Sequence, residues 1–244
     1  MRVSRLHIER GLRAGDSFAL PVDSAHYLGT VLRARVGDRV LLFNAQSGEY
    51  EATVTASKKG KVDVELGACV REPESKQSSL VLHLALGISR GDRMDYAIQK
   101  ATELGVNAIT PLFTEHGEVR LKPERLDNKL RHFEKIAVNA SEQCGRLDVP
   151  RLNTPLSFAD FLAQASEATR LLLEPGGETR LQAEAGLTDI ELIIGPEGGF
   201  SATEVNLARQ HGCEVMGLGP RILRTETAPV AAIAVLQFLY GDLA

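Results

Sequence analysis

Twice near its carboxyl end the chain runs a short apolar strand into a glycine-rich loop and out into a helix. The loops are Gly195-Pro-Glu-Gly-Gly-Phe-Ser201 and Gly217-Leu-Gly-Pro-Arg-Ile-Leu-Arg-Thr-Glu-Thr227. Two such loops lie side by side only if their strands do, which restricts this part of the chain to a parallel sheet covered by helices. Glu191-Leu-Ile-Ile194 reads as a buried strand stopped by Gly195-Pro196. Ser201 and Glu204 have the spacing of a capping box, and Gly212 falls where the helix they open would end. Val215-Met-Gly-Leu218 is a weaker strand, and Pro229 suits the first turn of an apolar terminal helix through Ile233, Leu236 and Leu239.

Glycine lets the main chain approach a ligand closely and reach positive φ, while proline freezes the turn. The loops therefore present N–H and C=O groups in set directions, a surface that suits a purine ring. A lone GPEGG would be no more than a tight turn. A pair of loops, the second carrying Arg221, Arg224 and Glu226, points to a cofactor pocket made largely of backbone. Neither loop matches G-x-x-x-x-G-K-[ST] or G-x-G-x-x-G, which argues against a phosphate-cradling nucleotide enzyme.

The pattern before residue 72 is different. Val40–Phe43, Tyr50–Thr55 and Val62–Leu66 are short β-type runs separated by turn signals, with a hairpin expected at Ser57–Gly60 and a helix at Ser24–Ala34. Residues 1–72 thus predict a small β-barrel or sandwich. Arg71–Ser78 is polar, contains Pro73 and serves as a linker. Residues 73–244 alternate strands and helices. Leu80–Ala85 leads to a helix with Met94, Ala97, Ile98 and Ala101 on one face and Gly105 at its end. A strand at Ala108–Phe113, helices at Glu124–Ser141 and Phe158–Ala165, and a strand at Arg170–Leu173 follow. The fold class expected is α/β, preceded by a β-rich domain.

Charge sharpens the division. Residues 1–72 carry 11 Lys and Arg against 9 Asp and Glu, whereas the rest carries 17 against 23. Arg2, Arg5, Arg10, Arg13, Arg33, Arg35 and Arg39 crowd the amino end, a pattern that suits local phosphate contact as well as an ordinary solvated face. Cys69, Cys144 and Cys213 are widely spaced and form no C-x-x-C, and the six histidines form no H-x-x-x-H pair, so neither disulfides nor a metal site are expected. With no apolar run of membrane-spanning length and no signal-peptide core at the amino end, a soluble cytoplasmic protein is expected.

The two loops, GPEGGFS and LGPRILRTETA, closely resemble the signature of the SPOUT methyltransferases, in particular the bacterial 16S ribosomal RNA (uracil-N3) methyltransferase family. Ser89–Asp95, Gln99–Gly105, Ile109–Phe113 and Ala140–Arg146 are similar to that family's blocks in the same order. Met1–Arg5, His26–Arg33 and Val36–Asp38 are similar to its PUA-like RNA-binding domain.

The resemblance implies a PUA-like domain over 1–72 and a SPOUT domain with a trefoil knot over 73–244. It implies S-adenosyl-L-methionine as cofactor, no metal, a homodimer, and the 16S rRNA of the small ribosomal subunit as partner. Cofactor contacts are expected from Leu172, Leu173, Glu174, Gly195, Pro196, Glu197, Gly198, Leu218, Gly219, Ile222, Leu223, Arg224, Thr225 and Thr227. RNA contacts are expected from Arg2, Arg5, Arg33, Arg90, Lys100 and Gln143, with Tyr27 a stacking candidate beside its packing role. Catalytic roles fall to Arg224, Glu103 and Arg146. Arg224 would set a guanidinium against a uracil oxygen, or else form a structural ion pair with Glu226 or Glu197. Cys144 is expected in a small core or supporting place and in no covalent role, because nitrogen methylation does not need ring activation. A non-catalytic ribosome-assembly factor on the same fold is the alternative, and would predict decayed cofactor loops.

Overall fold

The computed structural model describes residues 3–58, 60–73, 78–117, 123–177, 181 and 186–243. The chain divides into two compact units, Met1–Lys76 with Ser141–Val149, and Gln77–Ala140 with Pro150–Ala244.

The first unit is built on a five-stranded sheet in the order β1-β3-β4-β5-β2. The strands are β1 (Ser4–His7), β2 (Ser17–Ala19), β3 (Arg39–Asn44), β4 (Gly48–Lys58) and β5 (Lys61–Arg71). β1 runs parallel to β3, and the remaining pairs are antiparallel. Alternation puts Val62, Val64 and Leu66 inward, against Leu6, Leu42 and Val54. The hairpin turns where expected, with Lys58 opposite Lys61 and Gly60 at φ +77°.

The helix expected over Ser24–Ala34 is cut short. It covers Val22–His26 (α1) and passes into a π turn, Tyr27–Val31. Gly29 in that turn sits against β5, where a Cβ would lie 3.0 Å from Val62 Cγ2, and Arg33 at φ +56° takes the chain out of helix. Of the expected linker, Arg71 closes β5, while 74–77 lie outside the described residues.

The second unit holds a wholly parallel sheet. Its strands are β6 (Val81–Gly87), β7 (Ala108–Phe113), β8 (Arg151–Leu152), β9 (Leu156–Ser157), β10 (Thr169–Leu173), β11 (Asp189–Ile194) and β12 (Glu214–Met216). Their order is β12-β10-β11-β6-β7-β8, with β9 also on β7. The helices are α2 (Asp92–Glu103), α3 (Pro123–Cys144), α4 (Phe158–Ala163), α5 (Ala202–Gln210) and α6 (Thr227–Tyr240). Because the central strands are covered, they read as almost continuous apolar runs. Leu82, Leu84 and Leu86 of β6 are each fully buried, worth roughly 1.5–3 kcal/mol apiece.

The chain builds outward from β6 through β7 to β8, then crosses to the other side of β6 for β10, β11 and β12. The switch point therefore lies between β6 and β11, and ligands in such sheets bind beyond the carboxyl ends of the strands there. One polar row crosses this apolar sheet at mid-height. Asn153 donates to Thr110 Oγ1 (2.8 Å), and Thr110 meets His83 Nε2 (2.7 Å). His83 Nδ1 lies 3.6 Å from Glu191, and Arg170 Nε donates to Glu191 (2.7 Å).

Candidate active site

Beyond the carboxyl ends of β10, β11 and β12 lies a cavity of about 280 Å³. Backbone packing makes its walls. After β10 the chain turns at Glu174–Gly177, and the Glu174 amide donates to the Met216 carbonyl at the end of β12 (3.0 Å). A Cβ on Gly177 would meet Met216 C at 2.4 Å, so only glycine allows that closure. Likewise a Cβ on Gly87, at the end of β6, would meet Pro196 N at 2.5 Å. The first loop can pass over β6 only because that residue has no side chain.

The first loop turns at Pro196–Gly199, where the Gly199 amide donates to the Pro196 carbonyl (2.9 Å) and Gly199 has φ +66°. Phe200 is buried against Phe158, with ring centroids 5.0 Å apart, and Ser201 opens α5. The expected capping box is present. Ser201 Oγ accepts from the Glu204 amide (3.1 Å), and Glu204 accepts from the Ser201 amide (2.9 Å). Two further bonds hold the loop from outside, from the Glu115 amide to Glu204 (2.9 Å) and between His116 Nδ1 and the Gly198 carbonyl (3.0 Å). The second loop passes Gly219 at φ +77° and enters α6 where the Thr227 and Ala228 amides donate to the Arg224 carbonyl. Pro229 stands in the first turn of that helix, as expected.

Of the residues expected to touch a cofactor, Leu173, Glu174, Gly195, Pro196, Glu197, Gly198, Leu218, Gly219, Ile222, Leu223 and Thr225 line the cavity. Leu172, Arg224 and Thr227 are not among the lining residues; Leu172 is fully buried in the core beneath. Pro175, Ile194, Gly199, Phe200, Arg221 and Ala228 complete the wall. Pro175, Ile194, Gly199, Arg221 and Ala228 each adjoin an expected contact and Phe200 lies two positions beyond one, so strand termini and the glycine loops are the signal that locates the wall.

The electrostatics of the wall are uneven. Burial pushes the Glu174 carboxyl above its ordinary value. Burial acts the same way on Glu197, but hydrogen bonds from its own amide, the Arg90 amide and the Arg93 guanidinium together hold it below the usual range. Arg93 is 3.0 Å from Glu197 and 3.9 Å from Glu226. Arg224 therefore does not form the ion pair considered for it with either glutamate. It is exposed, and its guanidinium has no partner among the described residues.

The other expected residues are not gathered here. Glu103 ends α2 in an ion pair with Lys100 (2.8 Å). Arg146 belongs to the amino-terminal unit, is buried, and grips Asp148 through Nε (3.0 Å) and Nη2 (2.6 Å). Burial works against the Asp148 charge, yet that guanidinium holds the carboxyl below its ordinary value. Arg5, expected to face RNA, is turned inward instead. It pairs with Glu49, donates to the Ser141 (2.9 Å), Glu142 (3.0 Å) and Arg146 (3.1 Å) carbonyls, and covers the Phe43 ring. Arg33, Arg90 and Gln143 are exposed, Cys144 is exposed at the end of α3 and not in the core as expected, and Arg2 lies outside the described residues. Among the described residues no cluster of His, Cys, Asp and Glu suits a metal ion, and no helix is long and apolar enough to cross a membrane.

Comparison with known proteins gives two domain matches. Residues 76–237 match the family model of an RNA methyltransferase domain, and 20–67 that of an RNA methyltransferase PUA domain. The chain is 32% identical over 244 residues to a ribosomal RNA small subunit methyltransferase E of Buchnera aphidicola, covering 99% of this chain and 98% of that one. It is 27% identical to the protein of the same name from Bacillus subtilis, over 95% of each. Among solved structures, a Legionella pneumophila methyltransferase with bound SAM superposes with a TM-score of 0.94 at 37% identity, over the whole of both chains. A Neisseria gonorrhoeae ribosomal RNA small subunit methyltransferase E bound to S-adenosyl methionine gives 0.87 at 33%, again over the whole of both.

Proposed function

Given that the chain belongs to the RNA methyltransferase family, we propose that it methylates N3 of one uridine in the 16S rRNA of the small ribosomal subunit, with S-adenosyl-L-methionine as methyl donor. The observation that carries this reading is the cavity between two glycine loops, with an unpaired arginine beside it. Its chemistry fits the cofactor. Leu173, Ile194, Leu218 and Leu223 offer apolar contact to a purine, the Gly195–Gly199 and Leu218–Gly219 backbones offer polar groups to its edge, and Glu174 suits a ribose hydroxyl or an ammonium group. The cofactor supplies an electrophilic methyl on a sulfonium.

The chain's own work is positioning and charge. N3 is on the Watson–Crick edge, so the uridine must be unpaired or flipped before attack, and the amino-terminal domain, with Arg33 among its exposed arginines, would hold flanking RNA. Uracil N3 is a poor nucleophile while protonated. As the proton leaves, negative charge spreads to O2 and O4, and Arg224 would stabilise it through paired donors. We further propose that the carboxyl-terminal unit carries the trefoil knot of its family, that the protein acts in the cytoplasm, and that it works as a homodimer. Exposed Val235 and Phe238 on α6 are compatible with a face covered by a second copy. The assembly-factor alternative finds no support, because the loops retain their glycines and enclose a cavity.

The test is methyl transfer from labelled S-adenosylmethionine to small subunits taken from cells that lack this protein, with nucleosides identified by mass spectrometry. 3-Methyluridine at one site is expected. Cofactor binding without transfer to subunits or free RNA would discard the assigned substrate.

A further inference from the structure

The Ser89–Asp95 segment contributes nothing to the cavity lining, yet it reaches both loops that form it. Gly91, at φ +56°, leads into α2, and Arg93 is the second residue of that helix. A cation in the first turn opposes the helix dipole, whereas Asp92 and Asp95 beside it have the favoured sign. Arg93 therefore does not serve the stability of its own helix.

Its partners lie elsewhere in sequence. Nη1 donates to Glu197 Oε1 at 3.0 Å, and the Arg90 amide donates to the same oxygen at 3.2 Å. Nε is 3.9 Å from Glu226 Oε2. Glu197 belongs to the first loop and lines the cavity; Glu226 belongs to the second, does not line it, and immediately precedes α6 without a side-chain capping bond. One guanidinium thus pairs with one carboxylate from each loop. We infer that Arg93 is a positioning residue that sets the separation of the two cofactor loops by tying both to the start of α2. Without it, the two carboxylates that it now pairs with would repel each other and press the loops apart. A lysine would keep the charge but would lack the fork that serves two acceptors at once.

The inference rests on the proposed cofactor, so its test has a part that needs none. In the full-length protein without ligand, amide hydrogen exchange should quicken in both 195–199 and 218–226 when Arg93→Ala is made. Titration calorimetry with S-adenosylmethionine should show affinity weakened roughly three- to tenfold, the range expected for half-exposed ion pairs. Arg93→Lys should fall between the two. Glu226→Gln should weaken binding in the wild-type background and add nothing to Arg93→Ala, since both remove the same tie. Added salt should erode wild-type affinity more steeply than that of Arg93→Ala, and in turnover the loss should fall mainly on KM for the cofactor. Unchanged exchange in either loop, or additive effects of the two substitutions, would overturn the inference. If Arg93→Ala does not fold, Arg93→Lys and Glu226→Gln carry the same comparison. Wild-type protein that fails to bind S-adenosylmethionine would sink the functional reading and leave the exchange result to decide the tie.

Discussion

At mid-height in the parallel sheet, Arg170 donates to Glu191 (2.7 Å) and to the Leu162 (2.8 Å) and Gln164 (2.7 Å) carbonyls, whereas beyond the sheet's carboxyl edge Arg224 donates its guanidinium to no described residue. Both arginines stand close to glutamates in sequence or across strands. Around Arg170, itself buried, each guanidinium nitrogen has an acceptor, and although burial disfavours the Glu191 charge, hydrogen bonds from His83 and Arg170 hold its carboxyl down to about 2. The two glutamates considered as partners of Arg224 are paired with Arg93 instead. A cation in a completed network holds the fold together, and a cation whose potential partners are occupied keeps its donors uncommitted.

The sharpest way to break this comparison is to remove each arginine in turn. Arg170→Met strands Glu191 in the sheet and should lower stability by about 3–5 kcal/mol in urea unfolding. A change under 1 kcal/mol would mean the polar row is decorative. Arg224→Ala should leave stability within about 0.5 kcal/mol and reduce methyl transfer by roughly 10²–10³-fold, as loss of a transition-state donor does. A variant that unfolds readily would return Arg224 to a structural role.

The next effect is on pH. The Glu191 pKa is depressed from an ordinary 4.5 to about 2 on folding, so its contribution is complete above pH 4.5 and lost as pH falls toward 2. Glu191→Gln should therefore flatten stability across that window, read from urea midpoints at successive pH values, and an undiminished acid slope would place the titration elsewhere. The smallest expected effect concerns the edge of the site. Ser201→Ala removes one half of the capping box and should cost about 1 kcal/mol, with little change at Arg170, so the two substitutions should add.

Much of this architecture was legible before any coordinates. The capping box at Ser201 and Glu204, the apolar face of α2 and the hairpin at Gly60 all depend on residues within a few positions of one another. The walls of the cavity were legible where they are made of strand ends and glycines. The site was not legible where an arginine's surroundings depend on groups distant in sequence. Arg5 was expected to meet RNA, yet its acceptors are Glu49 and the carbonyls at the end of α3. Arg146 was given a catalytic role, but it is buried against Asp148. Arg93 was overlooked because its partner Glu197 lies 104 positions away.

The sequence by itself determined the strand–loop–helix units, the division between a β-rich and an alternating part, and the glycines that let backbone form a pocket. Periodicity, capping and turn chemistry act over a few residues, so they are written locally. Only the tertiary structure decided which charges are used up inside the fold and which stay unpaired, because that depends on which oppositely charged or hydrogen-bonding groups the packed sheet brings within about 4 Å.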